Sequence, residues 1–198
     1  MIHHPRFGRY CARSPAGRGK LSSVPALGIH LTGAGLLVAA GAAKVARPAD
    51  VARALAGAWP RTPPGVWRPA VRALGTLEVA LGAVAIVRPG RTAAGAVGAT
   101  YLGFAGWVLG SRARGSPLAT CGCFATPDTP PTLLHAAIDV VVAGGALRLA
   151  RSAPSGSILT VLAARPARGV PLVAASAAAG GLAYLAMVPL ARGRAPGR

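Results

Sequence analysis

Residues 21–43 read LSSVPALGIHLTGAGLLVAAGAA, a stretch with no Asp, Glu, Lys or Arg. At about 1.5 Å of rise per residue, a helix of this length crosses the ~30 Å hydrocarbon core of a bilayer. Residues 92–111 (TAAGAVGATYLGFAGWVLGS) and 169–191 (GVPLVAASAAAGGLAYLAMVPLA) are stretches of the same kind. Two more, 70–87 and 130–147, are each interrupted by a single acid, Glu78 and Asp139. Without water in the bilayer core, each span must satisfy its own backbone, which selects helices. The alternating period of a barrel strand is absent. The expected fold is all-α: a polytopic helical bundle in the cell membrane.

Composition agrees. The chain is 53% hydrophobic with mean hydropathy +0.49, too apolar for an ordinary soluble domain. Its only acids are Asp50, Glu78, Asp128 and Asp139. The net charge of +18 does not indicate nucleic acid, because the 22 basic residues lie almost entirely between the apolar runs. A nucleic-acid binder gathers its bases on one groove or helix face. Basic flanks suit anionic lipid headgroups instead, so the lipid membrane is the expected partner.

Residues 1–22 read as a disordered basic tail. Helices are expected over 23–46, 70–87, 92–111 and 131–150, forming a four-helix domain over 23–150. A short interfacial helix is expected at 50–59, closed by Pro60, Pro63 and Pro64. Arg88-Pro89-Gly90-Arg91 is a tight turn, and Pro130 and Pro131 open the fourth helix. A basic linker (151–168), a fifth membrane helix (169–191) and a basic tail (192–198) follow. The first apolar run exceeds the ~7–15 residues of a signal-peptide core and lacks a clean cleavage site, so it reads as a retained helix. Small residues at Gly95, Ala99, Gly103, Gly106 and Gly110 offer a close-packing face on the third helix. Alternate sides of the membrane collect eleven basic residues each, a tie by the positive-inside rule. Discounting Lys44 and Arg72 as helix residues favours an inside N-terminus.

Between the third and fourth helices stands Cys121-Gly122-Cys123-Phe124. The Cα atoms of residues i and i+2 lie at most about 7 Å apart, and a disulfide wants roughly 4.4–6.8 Å. Gly122 permits the bend that bridging needs. A ring so small is strained, and strained, exposed disulfides are labile and oxidising. The pair suits transfer chemistry better than structural bracing. Cys11 has no evident partner. Cys121, Cys123 and His135 also offer donors to zinc or Cu(I), but a structural zinc site shows four ligands and wider cysteine spacing, so no metal site is assigned.

Intramembrane charges form a second group. A central acid costs roughly 2.5–3.5 kcal/mol on insertion scales, so it faces the bundle interior and pairs. Lys44 is expected to meet Glu78 or Asp139, with His135 nearby, one turn before Asp139 on the same face. Two readings stand side by side: charges that fix helix register, or a proton relay or quinone-contacting site beside the thiols. His30 reads as a polar residue near the start of its helix.

These residues resemble the MauE family of DoxX-like membrane proteins. Gly41-Ala42-Ala43-Lys44, followed by Pro48, is similar to its first motif. Leu77-Glu78 with Leu81-Gly82 is similar to its second, and Cys121-Gly122-Cys123-Phe124 to its third and most specific. The likeness runs in order over about 24–150. Ala125 stands where the family usually has Gly, and His135 and Asp139 stand where it often has an Arg-containing motif.

The resemblance implies a DoxX-like four-helix core, with the fifth membrane helix outside it. It also implies help with thiol–disulfide exchange during maturation of extracytoplasmic proteins, which in the family is the methylamine dehydrogenase small subunit. A thioredoxin-like protein and a disulfide-containing client are the implied partners, with a membrane quinone as a candidate electron carrier. Cys121 and Cys123 would carry the chemistry of a thiol–disulfide oxidoreductase component. A non-catalytic membrane scaffold and a soft-metal transporter are the alternatives.

Overall fold

The computed structural model describes residues 24–113, 132–152 and 157–187. All three cysteines, Pro130, Pro131 and both chain ends fall outside them. Seven α-helices are described: α1 (Val24–Ala46), α2 (Pro48–Ala58), α3 (Trp67–Val87), α4 (Arg91–Ala113), α5 (Leu133–Ser152), α6 (Ile158–Ala164) and α7 (Pro166–Met187). Five of them, α1, α3, α4, α5 and α7, are long and apolar enough to cross a membrane. The protein is a polytopic, all-α membrane bundle.

Prolines set the breaks. Proline disfavours helical geometry in the residue before it. Arg47, before Pro48, has φ −130° and ends α1, and Arg88, before Pro89, has φ −130° and ends α3. Pro48 then opens α2, where its missing N–H costs nothing. The amphipathic α2 buries Val51 and Ala52 against Val71 and Trp67, while Arg53 on the exposed side pairs with Asp50.

Several elements depart from expectation. Helix α3 starts at Trp67 rather than near 70, because Pro69 fits within a first helical turn. The segment expected as a linker holds α6, nucleated by Ser157. The Ser157 hydroxyl accepts the Leu159 N–H at 3.2 Å, an N-cap bond, and donates to the Val87 carbonyl at 2.9 Å. Helix α7 starts at Pro166, not near 169, so Pro171 lies inside it rather than at its entry.

The central helix is α1, which packs against α3, α5 and α7, while α4 and α5 pair with each other. The largest core cluster gathers Ala34 and Leu37 of α1, Ala85 of α3, Val97 and Tyr101 of α4, and Val142, Ala143 and Ala146 of α5. Tyr101 sends its hydroxyl hydrogen to the Gly33 carbonyl at 2.8 Å. Helix α7 lies at the periphery, with only Gly169, Ser176 and Met187 buried.

The α1–α3 crossing is built on glycine. A Cβ at Gly75 would sit 2.7 Å from the Gly41 carbonyl, and one at Gly82 would sit 2.6 Å from the Ala34 carbonyl. A Cβ at Gly41 would in turn strike the Gly75 carbonyl. Only hydrogen at these positions lets the two backbones touch. The small-residue face expected on α4 is not used in this way. Added Cβ atoms at Gly95, Gly103 and Gly106 would meet nothing within 4 Å, whereas Gly98 packs against Leu147 of α5.

Candidate functional site

The close α1–α3 contact brings two charges together inside the bundle. The register that sets Gly41 against Gly75 and Ala34 against Gly82 places Lys44 six residues from the level of Glu78. That is about 9 Å along the axis. Side chains on a helix lean toward its N-terminus, and these helices run antiparallel, so the two side chains lean toward each other and close the gap. Lys44 Nζ donates to both carboxylate oxygens of Glu78, at 2.9 and 2.7 Å. The ammonium also lies 5.9 Å from the centre of the Phe104 ring, within cation–π range.

Asp139 stands on α5, six residues inside its start, about 9 Å deep along the helix. Its carboxylate is not bonded to Lys44. The two border a common cavity of about 20 Å3 with Tyr101, Phe104 and Met187. Asp139 Oδ2 is buried without a hydrogen-bond partner among the described residues.

His135 takes another part. Thr132 precedes α5, and His135 Nδ1 lies 3.2 Å from its backbone nitrogen and 2.8 Å from its hydroxyl. The backbone N–H donates to Nδ1, the return half of a capping box with His in place of Glu or Gln. His135 is thus a cap on the first turn of α5, and Asp139 lies one turn deeper.

Two features escaped the sequence reading. His30 is fully buried rather than a polar residue near a helix start: Nε2 meets the Ala85 carbonyl at 3.2 Å, joining α1 to α3. Since a carbonyl only accepts, Nε2 carries the hydrogen. The second feature is aromatic. Trp59 stacks on Trp67 at 5.6 Å and on Trp107 at 5.1 Å, so all three tryptophans of the chain form one column joining the α2–α3 connection to α4. Trp59 and Trp67 lie at helix ends, as in an interfacial aromatic belt, whereas Trp107 lies six residues inside the end of α4.

With this geometry in view, comparison with known families is decisive. The family of the methylamine utilisation protein MauE matches residues 22–152. The chain belongs to the MauE family. The matched region covers α1 to α5 and stops before α6 and α7. No curated protein and no solved structure matches the chain. In this MauE-family chain, the α1 segment ending in Lys44 and the α3 segment around Glu78 are the two that meet at the glycine crossing. The third motif segment, with Cys121 and Cys123, lies outside the described residues, between the end of α4 and Thr132. Among the described residues, no three His, Cys, Asp or Glu side chains converge as a metal site requires.

Proposed function

We propose that this protein is a cell-membrane component of thiol–disulfide exchange that assists the maturation of extracytoplasmic proteins. The observation that carries the reading is Cys121-Gly122-Cys123-Phe124 in a chain of the MauE family. In this reading α1, α3, α4 and α5 are a DoxX-like core, and α7 is an addition beside it. The family's link to the methylamine dehydrogenase small subunit makes a disulfide-rich client the fitting partner.

One loop thiolate attacks a client disulfide. A new S–S bond forms, the client's bond breaks, and one client thiolate leaves. The second loop thiolate then attacks the mixed disulfide, which closes the Cys121–Cys123 bond and releases the client as a dithiol. Two electrons pass to the client, and the protons lost by the loop thiols balance those its thiolates take up. Run backwards, the same steps oxidise the client. In the forward direction a reduced thioredoxin-like protein returns two electrons and reopens the pair, and in the reverse direction a membrane quinone takes two electrons from it.

The test is acid quenching and alkylation of native membranes, followed by non-reducing electrophoresis. Serine at the attacking cysteine abolishes the mixed disulfide, and serine at the resolving one makes it accumulate. If neither Cys121→Ser nor Cys123→Ser alters the trapped species, thiol exchange at this loop is wrong.

A non-catalytic scaffold is the second reading, favoured by the buried Lys44–Glu78 pair, since an internal ion pair fixes helix register without turnover. It requires the two thiols to stay in one redox state under all growth conditions. Alkylation with and without prior reduction reads that state.

A further inference from the structure

The cavity between Lys44 and Asp139 is small, and the groups around it are unequal. Its volume is about 20 Å3, and Leu36, Leu37, Ala40 and Phe104 make much of the wall apolar. A wholly apolar void of this kind stays dry. This one is bordered by two charged side chains, each more than nine-tenths buried. One of them, Asp139, has a carboxylate oxygen with no partner among the described residues. An unmatched buried carboxylate oxygen is costly, and proteins relieve that cost with protein donors or ordered water.

Size selects the ligand. A water needs roughly 10–15 Å3 of such space and two to four polar partners. The cavity meets the first condition for one molecule, and Asp139 and Lys44 begin to meet the second. A hydrated cation or a quinone ring is far too large. We propose that the cavity holds a single structural water, which donates a hydrogen bond to Asp139 Oδ2 and turns its oxygen toward the Lys44 ammonium.

The water joins α5 to the α1–α3 pair, so Glu78, Lys44 and Asp139 form one polar network across three helices. The sequence alone leaves Lys44 to meet Glu78 or Asp139, and the geometry divides their roles: Glu78 pairs directly and Asp139 couples through solvent. This assignment is independent of the chemistry of the cysteines.

Two measurements on the full-length protein test it. A structure resolved to about 2 Å or better should show density for one water within hydrogen-bond distance of Asp139 Oδ2. Thermal or denaturant unfolding in detergent should then be compared for Lys44→Met, Asp139→Asn and the double variant. Residues sharing one network depart from independence, and the combined effect on the unfolding equilibrium should differ from the product of the single effects by about threefold or more. A cavity without density between well-ordered neighbours overturns the assignment, as do single effects that simply multiply. Where a variant fails to fold, the density in the unsubstituted protein decides.

Discussion

Lys44 Nζ of α1 lies 2.7 and 2.9 Å from the two carboxylate oxygens of Glu78 on α3, and the two residues are 4% and 2% exposed. The pair meets because three glycines let the helix backbones touch and because both side chains lean into the gap. Charge placement and close packing are therefore one device, and each can be disturbed separately.

Removing one partner strands the other in a low-dielectric interior. Lys44→Met or Glu78→Gln should each lower stability in detergent by about 3–5 kcal/mol, the range for a broken buried pair. Replacing both by apolar residues removes the stranded charge. Lys44→Met with Glu78→Leu should recover much of the loss, measured as the unfolding midpoint. A double variant less stable than either single one would show that the pair is held by more than mutual compensation.

The glycine crossing predicts position-specific intolerance. Gly75→Ala and Gly82→Ala each drive a methyl toward a backbone carbonyl, which cannot give way as a side chain can. Each should cost about 1–3 kcal/mol, as overpacking does, and should force α1 and α3 apart. Gly103→Ala meets nothing within 4 Å and should not lower the unfolding midpoint of the isolated protein. Thermal melts of the three variants in one detergent make the comparison.

These two results also mark what was legible in the chain. The spans could be read because each is a long apolar run, and their ends because Pro48 and Pro89 leave the preceding residue little choice but to leave the helix. Glu78 and Asp139 could be read as inward-facing because lipid punishes the alternative. The packing faces could not. With 27 glycines and abundant alanine, several helices carry a row of small residues, and the register of the neighbouring helix decides which row is used. That is why Gly41, Gly75 and Gly82 pack while Gly95, Gly103 and Gly106 do not. His30 was hidden for a related reason: its carbonyl partner, Ala85, belongs to a helix 55 positions away. Helix α6 was hidden by the basic residues beyond it, although Ser157 ahead of an apolar turn was a usable cap signal.

The end of the bundle where α5 begins should depend on a local cap. His135 Nδ1 receives the Thr132 N–H and lies 2.8 Å from the Thr132 hydroxyl. His135→Ala removes this cap. It should loosen the first turn of α5, seen as faster amide hydrogen exchange there. The expected loss is about 1 kcal/mol, typical of a helix cap. Thr132→Val, which keeps the backbone N–H and removes only the hydroxyl, should have a smaller effect.

Orientation follows from how Lys44 is spent. Counted along the chain, the two faces carry equal numbers of basic residues, and the positive-inside rule does not choose between them. Lys44 is buried against Glu78, so it does not face lipid headgroups and drops out of the count for the face that bears the cysteine segment. The opposite face is left the more basic and is expected in the cytoplasm. On that expectation Cys121 and Cys123 would lie on the side where disulfides persist. After mild reduction, a membrane-impermeant maleimide should label them in intact cells, with Cys11 replaced by Ser to remove its signal. Labelling that appears only after permeabilisation would place the thiols in a reducing compartment and remove the basis for exchange with extracytoplasmic clients.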